Sequence, residues 1–542
     1  MDKNDLMQSI SEIDEELLER SERNKQKASD MGKNKVKKKK ANSRLTLRIA
    51  ASAATVLLIT GLTVLILYFR SNNDNKAGDK NESHTDAVSE DKAESYTNTV
   101  SEGKDESGIF KMKTYSVSAA EYPELMKKPD YFDFDEGNDG SMGPEEMDAY
   151  FAAQKEWAEQ NSAFKNVEGY DTVKGKAGIL DFNSKAMQLF LVEHNHENRI
   201  YSPINIYIAL GMLAETTEGN TRKQVLDLLG INDIEELRVQ IKGLWNGAYS
   251  DDKLKSILAS SVWLRDDIKY KKDTLDSLAR NYYTSSFAGD MGDEEYSQAF
   301  RNWLNDQTDG LLTEQIGELQ FTQDTVMALA TTVSFSARWS NEFNKSNTKT
   351  DVFHSTNGDI QCDFMNKSET GQYFYGDRFG AITRLFDGAQ GNMMFILPDE
   401  GVSVYDLLED KQVMSFIDKG SYYEKSKFLI INMSIPRFDV SSNQSVNDAL
   451  KKLGITDAFD PEQADFSPVS DETGKIWLGK VEHGVRVITD EEGVKAAAYT
   501  TELLCGAAEP PEEKIDFVLD RPFMFVINYG GLPMFVGIVE KP

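Results

Sequence analysis

Apolar positions along this chain change period several times, and the changes mark out its elements. In residues 1–23, Leu6, Ile10, Ile13, Leu17 and Leu18 fall at helical spacing and predict a short amphipathic helix. From Ile49 to Phe69 the periodicity gives way to 21 residues without a charge, enough to cross a hydrocarbon core of about 30 Å as a helix. Residues 70–108 carry almost nothing apolar and predict a disordered stalk, since burial there cannot offset ordering entropy. Between 109 and 172 aromatics return (Tyr115, Tyr122, Tyr150, Trp157 among them), predicting a partly ordered extension packed on the main domain.

Residues 173–542 read as that main domain. Asn220 to Gly230 predicts a helix with Thr221 and Gln224 as a capping box and Gly230 as its stop; Ser445 to Gly454 repeats the device, with Ser445 as the cap. Between them, Ser256–Leu264, Thr325–Trp339 and Asn392–Pro398 predict strands, and the final apolar runs around Gly530 and Gly531 predict a hairpin. The expected class is α+β with large antiparallel sheets and a helical N-terminal half.

Composition sharpens this outline. An apolar fraction of 40% supports a sizeable core, and two cysteines, Cys362 and Cys505, are too few for a disulfide framework or a structural zinc site. The basic tract Lys33 to Arg48 precedes the charge-free span. It predicts a cytoplasmic tail (1–48), one transmembrane helix (49–69) and an extracellular remainder. The first 48 residues hold 13 Lys and Arg against 9 Asp and Glu, a net +4, which leaves −34 of the total −30 on the rest. That acidity argues against nucleic acid as a partner.

Five histidines occur, at positions 84, 194, 196, 354 and 483, with no zinc-protease, nucleophile-elbow, phosphate-loop or dinucleotide motif. His194 and His196 read as a surface pair rather than a metal site. Asp135 to Glu146 fits a calcium loop only loosely, because Gly137 offers no ligand oxygen, and reads as an acidic turn. No cofactor or metal is expected, and a conventional enzyme is disfavoured.

The segment EEGVKAAAYTTELLCGAAEPPEEK, Glu491 to Lys514, sets small residues in a run and then closes with Pro510 and Pro511, which suits an exposed loop. Counting alternately from Gly493, one set is Val494, Ala496, Ala498 and Thr500, all small or β-branched. Lys495 and Tyr499 fall on the other set. A tether would not need that partition; a segment able to become a buried strand would.

Over about residues 173–542 the chain resembles the serpin family. The resemblance rests on NRIYSPINIYIALGMLAETTEGNTRKQV (Asn198 to Val225), WLNDQTDG (Trp303 to Gly310), FILPDEG (Phe395 to Gly401), IPRFDV, Leu450 to Ser467 and FVLDRPFMFVI (Phe517 to Ile527). It implies a reactive-centre loop with its hinge at Glu491, Glu492, Gly493, Val494, Ala496, Ala497, Ala498 and Thr500. It also implies a sheet-opening polar cluster at Ser202, Asn205, Thr331 and His483, where Asn205 and Thr331 depart from the family's usual pattern. Spacing places the scissile bond at Ala507 and Ala508, suited to an elastase-like or subtilisin-like protease, whereas Leu503 or Leu504 would suit a chymotrypsin-like one. The expectation is a monomeric, membrane-anchored, bacterial inhibitor that traps a serine protease covalently. The alternatives are a non-inhibitory serpin-fold binding or adhesion module and, from the N-terminal helix and basic tract alone, a membrane-bound sensor.

Overall fold

The computed structural model describes residues 115–123, 125–130, 143–192, 196–251, 254–313, 316–317, 319–388, 390–472, 476–494 and 511–542. The predicted tail helix, the span 49–69, the stalk, Cys505 and the loop 495–510 lie outside them. Among the described residues no helix is long and apolar enough to cross a membrane.

Two sheets carry the molecule. The first is built from β1 (Ser116–Ser118), β3 (Ser250–Asp251), β4 (Lys255–Arg265), β5 (Thr284–Gly289), β6 (Met327–Arg338), β12 (Phe438–Ser445), β13 (Leu478–Thr489) and β14 (Gly493–Val494). Its order is β1-β5-β4-β6-β14-β13-β12, with β3 on β4. The second holds β2 (Arg199–Tyr201), β7 (Lys349–Ser355), β8 (Gly358–Tyr375), β9 (Phe379–Leu385), β10 (Gly391–Pro398), β11 (Ser426–Pro436), β15 (Lys514–Val518), β16 (Phe523–Tyr529) and β17 (Leu532–Val539). The predicted strands at 256–264, 325–339 and 392–398 are β4, β6 and β10, and the terminal hairpin is β16–β17 about Gly530 and Gly531, both at positive φ. The sheets are mixed rather than antiparallel throughout: β4–β5, β6–β13 and β11–β15 run parallel.

Helices α1 (Pro144–Lys165), α2 (Thr172–Leu191), α3 (Pro203–Thr216), α4 (Gly219–Leu229), α5 (Ile234–Ala248), α6 (Lys272–Asn281), α7 (Glu294–Gln307), α8 (Lys411–Lys419) and α9 (Asn447–Lys452) surround the sheets. Apart from Asn205, the run PINIYIALGMLA is apolar nearly all round, and α3 is buried along its whole length and packs on both β6 and β17. That places the Ser202 cap of α3 under the first sheet.

Two predicted caps are corrected. Helix α4 begins at Gly219, so Thr221 and Gln224 are not its cap. They reach across the fold instead: Thr221 Oγ1 accepts the Asp465 amide at 3.1 Å, and Gln224 Oε1 accepts those of Thr456 at 2.9 Å and Asp457 at 3.1 Å. Ser445 closes β12, and α9 starts after Val446 with no side-chain cap. Gly230 does end α4, in the left-handed conformation at φ 67°.

The extension lies against the body. β1 pairs with β5, Tyr115 meets Tyr296 of α7 at 4.9 Å, and Tyr122 stacks on Tyr283 at 6.0 Å. Of the loosely calcium-like stretch, residues 143–146 are described; Glu146 accepts the Gly143 amide and so caps its own helix. His196 Nδ1 stands 4.0 Å from Glu540 Oε1, and no group of three metal-ligating side chains occurs among the described residues.

Candidate functional site

Among the described residues, strands β6 and β13 pair directly only at one end, through Met327–Ala330 against Leu478–Glu482. At the other end β14 sits between them, Gly493 opposite Arg338 and Val494 opposite both Ala337 and Thr489. Thr331 to Ser336 therefore have no ladder partner on the β13 side among the described residues, although β4 pairs them on the other. The sheet is a fork with a two-residue wedge in its mouth.

Glycine is required at the mouth, because a Cβ on Gly493 would stand 2.1 Å from the Ala337 carbonyl oxygen. Val494 is 1% exposed, its side chain on the core face with Ala337 and Thr489. Before it, Asp490 to Gly493 form a tight turn: Asp490 Oδ1 accepts the amides of Glu492 at 2.8 Å and Gly493 at 3.1 Å. Trp339 holds this turn from the end of β6, its indole N–H donating to the Asp490 carbonyl at 2.9 Å and its amide to that of Glu492 at 3.0 Å.

Glu491 is the buried anchor, 2% exposed. Arg437 Nε lies 3.0 Å from each of its carboxylate oxygens and Nη2 2.6 Å from Oε1, while Thr348 donates a further bond. Burial alone would raise this carboxyl, but the Arg437 and Thr348 bonds outweigh it and hold it below the usual range. Arg437, Thr348 and Trp339 were not singled out from sequence. Arg437 stands in the IPRFDV block, and nothing local to Thr348 or Trp339 signals a partner so distant in the chain.

At the closed end of the slot the four residues Ser202, Asn205, Thr331 and His483 are joined by hydrogen bonds. His483 Nε2 accepts the Ser202 amide at 3.0 Å, Ser202 Oγ accepts the Asn205 amide at 3.4 Å, and Thr331 Oγ1 donates to the Asn205 carbonyl at 3.4 Å. His483 is fully buried, and burial pushes its pKa down to about 3. With Nε2 accepting, the neutral ring carries its proton on Nδ1, which has no partner among the described atoms; Asn205 Nδ2 also has none. Two unspent donors thus sit where the fork closes.

The outer face of the fork is bridged. After α7, Asp309 Oδ2 accepts from Lys255 of β4 at 2.8 Å and from Ser334 of β6 at 3.2 Å, and Arg486 of β13 donates to the Leu311 carbonyl at 3.0 Å. Of the remaining predicted site residues, Ala496, Ala497, Ala498, Thr500, Ala507 and Ala508 lie outside the described residues. Cys362 is half-buried, its thiol pushed up to about 11 by burial and by Asp363 and Asp351.

The comparisons with known proteins meet this architecture. The chain is 28% identical over 380 residues to the plasma serine protease inhibitor of Mus musculus, covering 68% of this chain and 91% of that one. It is 25% identical over 372 residues to the leukocyte elastase inhibitor of Homo sapiens, covering 66% and 97%. The crystal structure of the thermophilic serpin tengpin in its native state superposes with a TM-score of 0.62 at 26% identity, covering 70% of this chain and 96% of tengpin. Such relatives are protease inhibitors rather than enzymes. A family model described as Serpin (serine protease inhibitor) matches residues 178–542, and the chain belongs to that family.

Proposed function

We propose that this protein inhibits a serine protease by inserting its own cleaved loop into the fork. The observation that supports this most is the seat of Gly493 and Val494 at the mouth of a slot where Thr331 to Ser336 have no ladder partner on the β13 side among the described residues. Continued in the same register, Ala496 would come between Phe335 and Val487, Ala498 between Val333 and Val485, and Thr500 between Thr331 and His483. The first four of those flanking residues are buried apolar side chains, where a methyl group fits between them. At the fifth and sixth the flanks turn polar, and Thr500 brings a hydroxyl that can accept the idle Nδ1 proton of His483.

A six-residue strand placed there pairs about a dozen backbone groups, each worth about 1 kcal/mol net, so insertion releases on the order of 10 kcal/mol. In the proposed sequence the protease serine attacks the Ala507 carbonyl, the Ala508 amine departs with a proton, and the ester joins enzyme to loop. Insertion then carries the acyl-enzyme away before water can hydrolyse it. The small residue at 507 favours an elastase-like or subtilisin-like target. The charge-free span 49–69 behind the basic tract 33–48 supports display outside a membrane, testable by whether external protease removes the main domain from intact cells.

The test is to mix the protein with elastase, and then subtilisin, and separate the products on a denaturing gel. A band at the summed mass, with release of the peptide beginning at Ala508, is expected. Cleavage without any such band for either enzyme overturns trapping of this target class and favours the non-inhibitory binding module.

A further inference from the structure

The second sheet leaves one face open where the loop returns to the fold. Along β11, Leu429, Ile431, Met433 and Ile435 are buried, so alternation turns Phe428 and Ile430 to the opposite face. Their cross-strand neighbours there, Gln372 and Thr370 of β8 and Lys514 of β15, are exposed. Phe428 itself is 60% exposed.

The polar side chains further along this face are already spent on one another. Ser368 Oγ donates to Asn432 Oδ1, and Asn432 Nδ2 to Asp516 Oδ1, each at 2.8 Å, so that row is satisfied within the sheet. Phe428 differs, because an exposed aromatic ring is surface whose burial is favourable.

Its position says what covers it. Ile430 donates its amide to the Glu513 carbonyl at 2.9 Å, and Lys427 Nζ stands 3.3 Å from Glu513 Oε1. Phe428, between them in sequence, is thereby held beside Glu513, five residues past Ala508. Five residues span at most about 18 Å, and a protease domain of about 220 residues has a radius of gyration of about 17 Å. An enzyme holding the 507–508 bond is thus large enough, and tethered closely enough, to cover Phe428. Since the other face of β11 is buried, the open one is the face it meets.

We propose that Phe428, with Ile430 beside it, is a second contact for the target protease, covered by an apolar part of the enzyme's rim on the leaving-group side of its cleft. This rests on the reading that a serine protease engages the loop, and it adds a residue outside the loop that sets the rate of encounter. Insertion follows that encounter and does not involve this face.

The test uses the full chain and whichever of elastase and subtilisin consumes the loop faster, and measures the second-order rate constant for total loss of intact protein, trapped and cleaved together. Phe428→Ala should lower that constant about tenfold, about 1.4 kcal/mol, and Phe428→Leu less than about threefold. The melting temperature and the ratio of covalent complex to cleaved protein should stay as in the unsubstituted chain. A Phe428→Ala constant within about twofold of the unsubstituted one overturns the contact and leaves trapping untouched. A slower reaction accompanied by a shifted melting temperature or ratio also overturns it, since the effect is then structural. If the loop is cut and no covalent band forms, trapping falls, yet a tenfold slower cut in Phe428→Ala still upholds the contact. A loop that neither enzyme attacks overturns both.

Discussion

His483 is sealed from solvent with Nε2 accepting from Ser202, so protonating it means burying a cation beside a donor. Its folded-state pKa of about 3 lies below the unfolded value of about 6.5. The stability it contributes is complete above pH 6.5 and lost as the pH falls towards 3, on the order of 5 kcal/mol in all. Glu491, also held low, acts with the same sign: its contribution is present above the ordinary carboxylate range and lost below it. The melting temperature of the intact protein should therefore drop between pH 7 and pH 4, and His483→Gln should flatten that drop. Parallel pH profiles for the two proteins would show that the imidazole is not what responds. At the mouth, Gly493→Ala drives a Cβ into the Ala337 carbonyl and should cost about 1–3 kcal/mol by expelling the wedge. Faster hydrogen exchange at the Val494 amide would report the expulsion; unchanged protection would mean that the backbone absorbs the methyl group.

At the scale of the elements, what the loop becomes depends on backbone donors as much as on side-chain size. Ala498→Pro removes a donor from the middle of the proposed strand, so the variant should be cleaved by the protease without forming a covalent complex. Persistence of the gel-stable complex would show that the strand does not reach residue 498. Strands β4, β6 and β10 were legible in the sequence because runs of apolar and β-branched residues are bounded by turns. Their partners were not: hydrophobic period does not say that β6 and β13 run parallel or that they part after Ala330. Thr221 and Gln224 have the form of a cap, but tertiary hydrogen bonds to 456–465 claim them. Helix α1 escaped notice because its apolar residues are sparse, although Pro144 followed by Glu145 and Glu146 is a helix-start signature. The hinge and the polar cluster were reached through family blocks, and what sequence withheld there was the geometry: the Arg437–Glu491 pair and the idle donors at Asn205 and His483.

Over the whole molecule, the fork between β6 and β13 is short of its full complement of strand pairing among the described residues. The segment after α7 spans its outer face, tied to β4 and β6 through Asp309 and to β13 through Arg486, and an inserting strand must push these halves about 4.8 Å further apart. Arg486→Ala should loosen that brace and speed spontaneous loss of inhibitory activity on storage at 37 °C; an unchanged half-life would show that the brace does not limit opening. The central claim is that cutting the loop lets it enter the sheet. The most direct measurement is the melting temperature of the protein before and after nicking by a protease that cleaves within residues 495–510. At roughly 1–2 °C for each kcal/mol in a domain of this size, insertion predicts a rise of about 10–20 °C or more. Nicked and intact proteins that melt together would contradict the account.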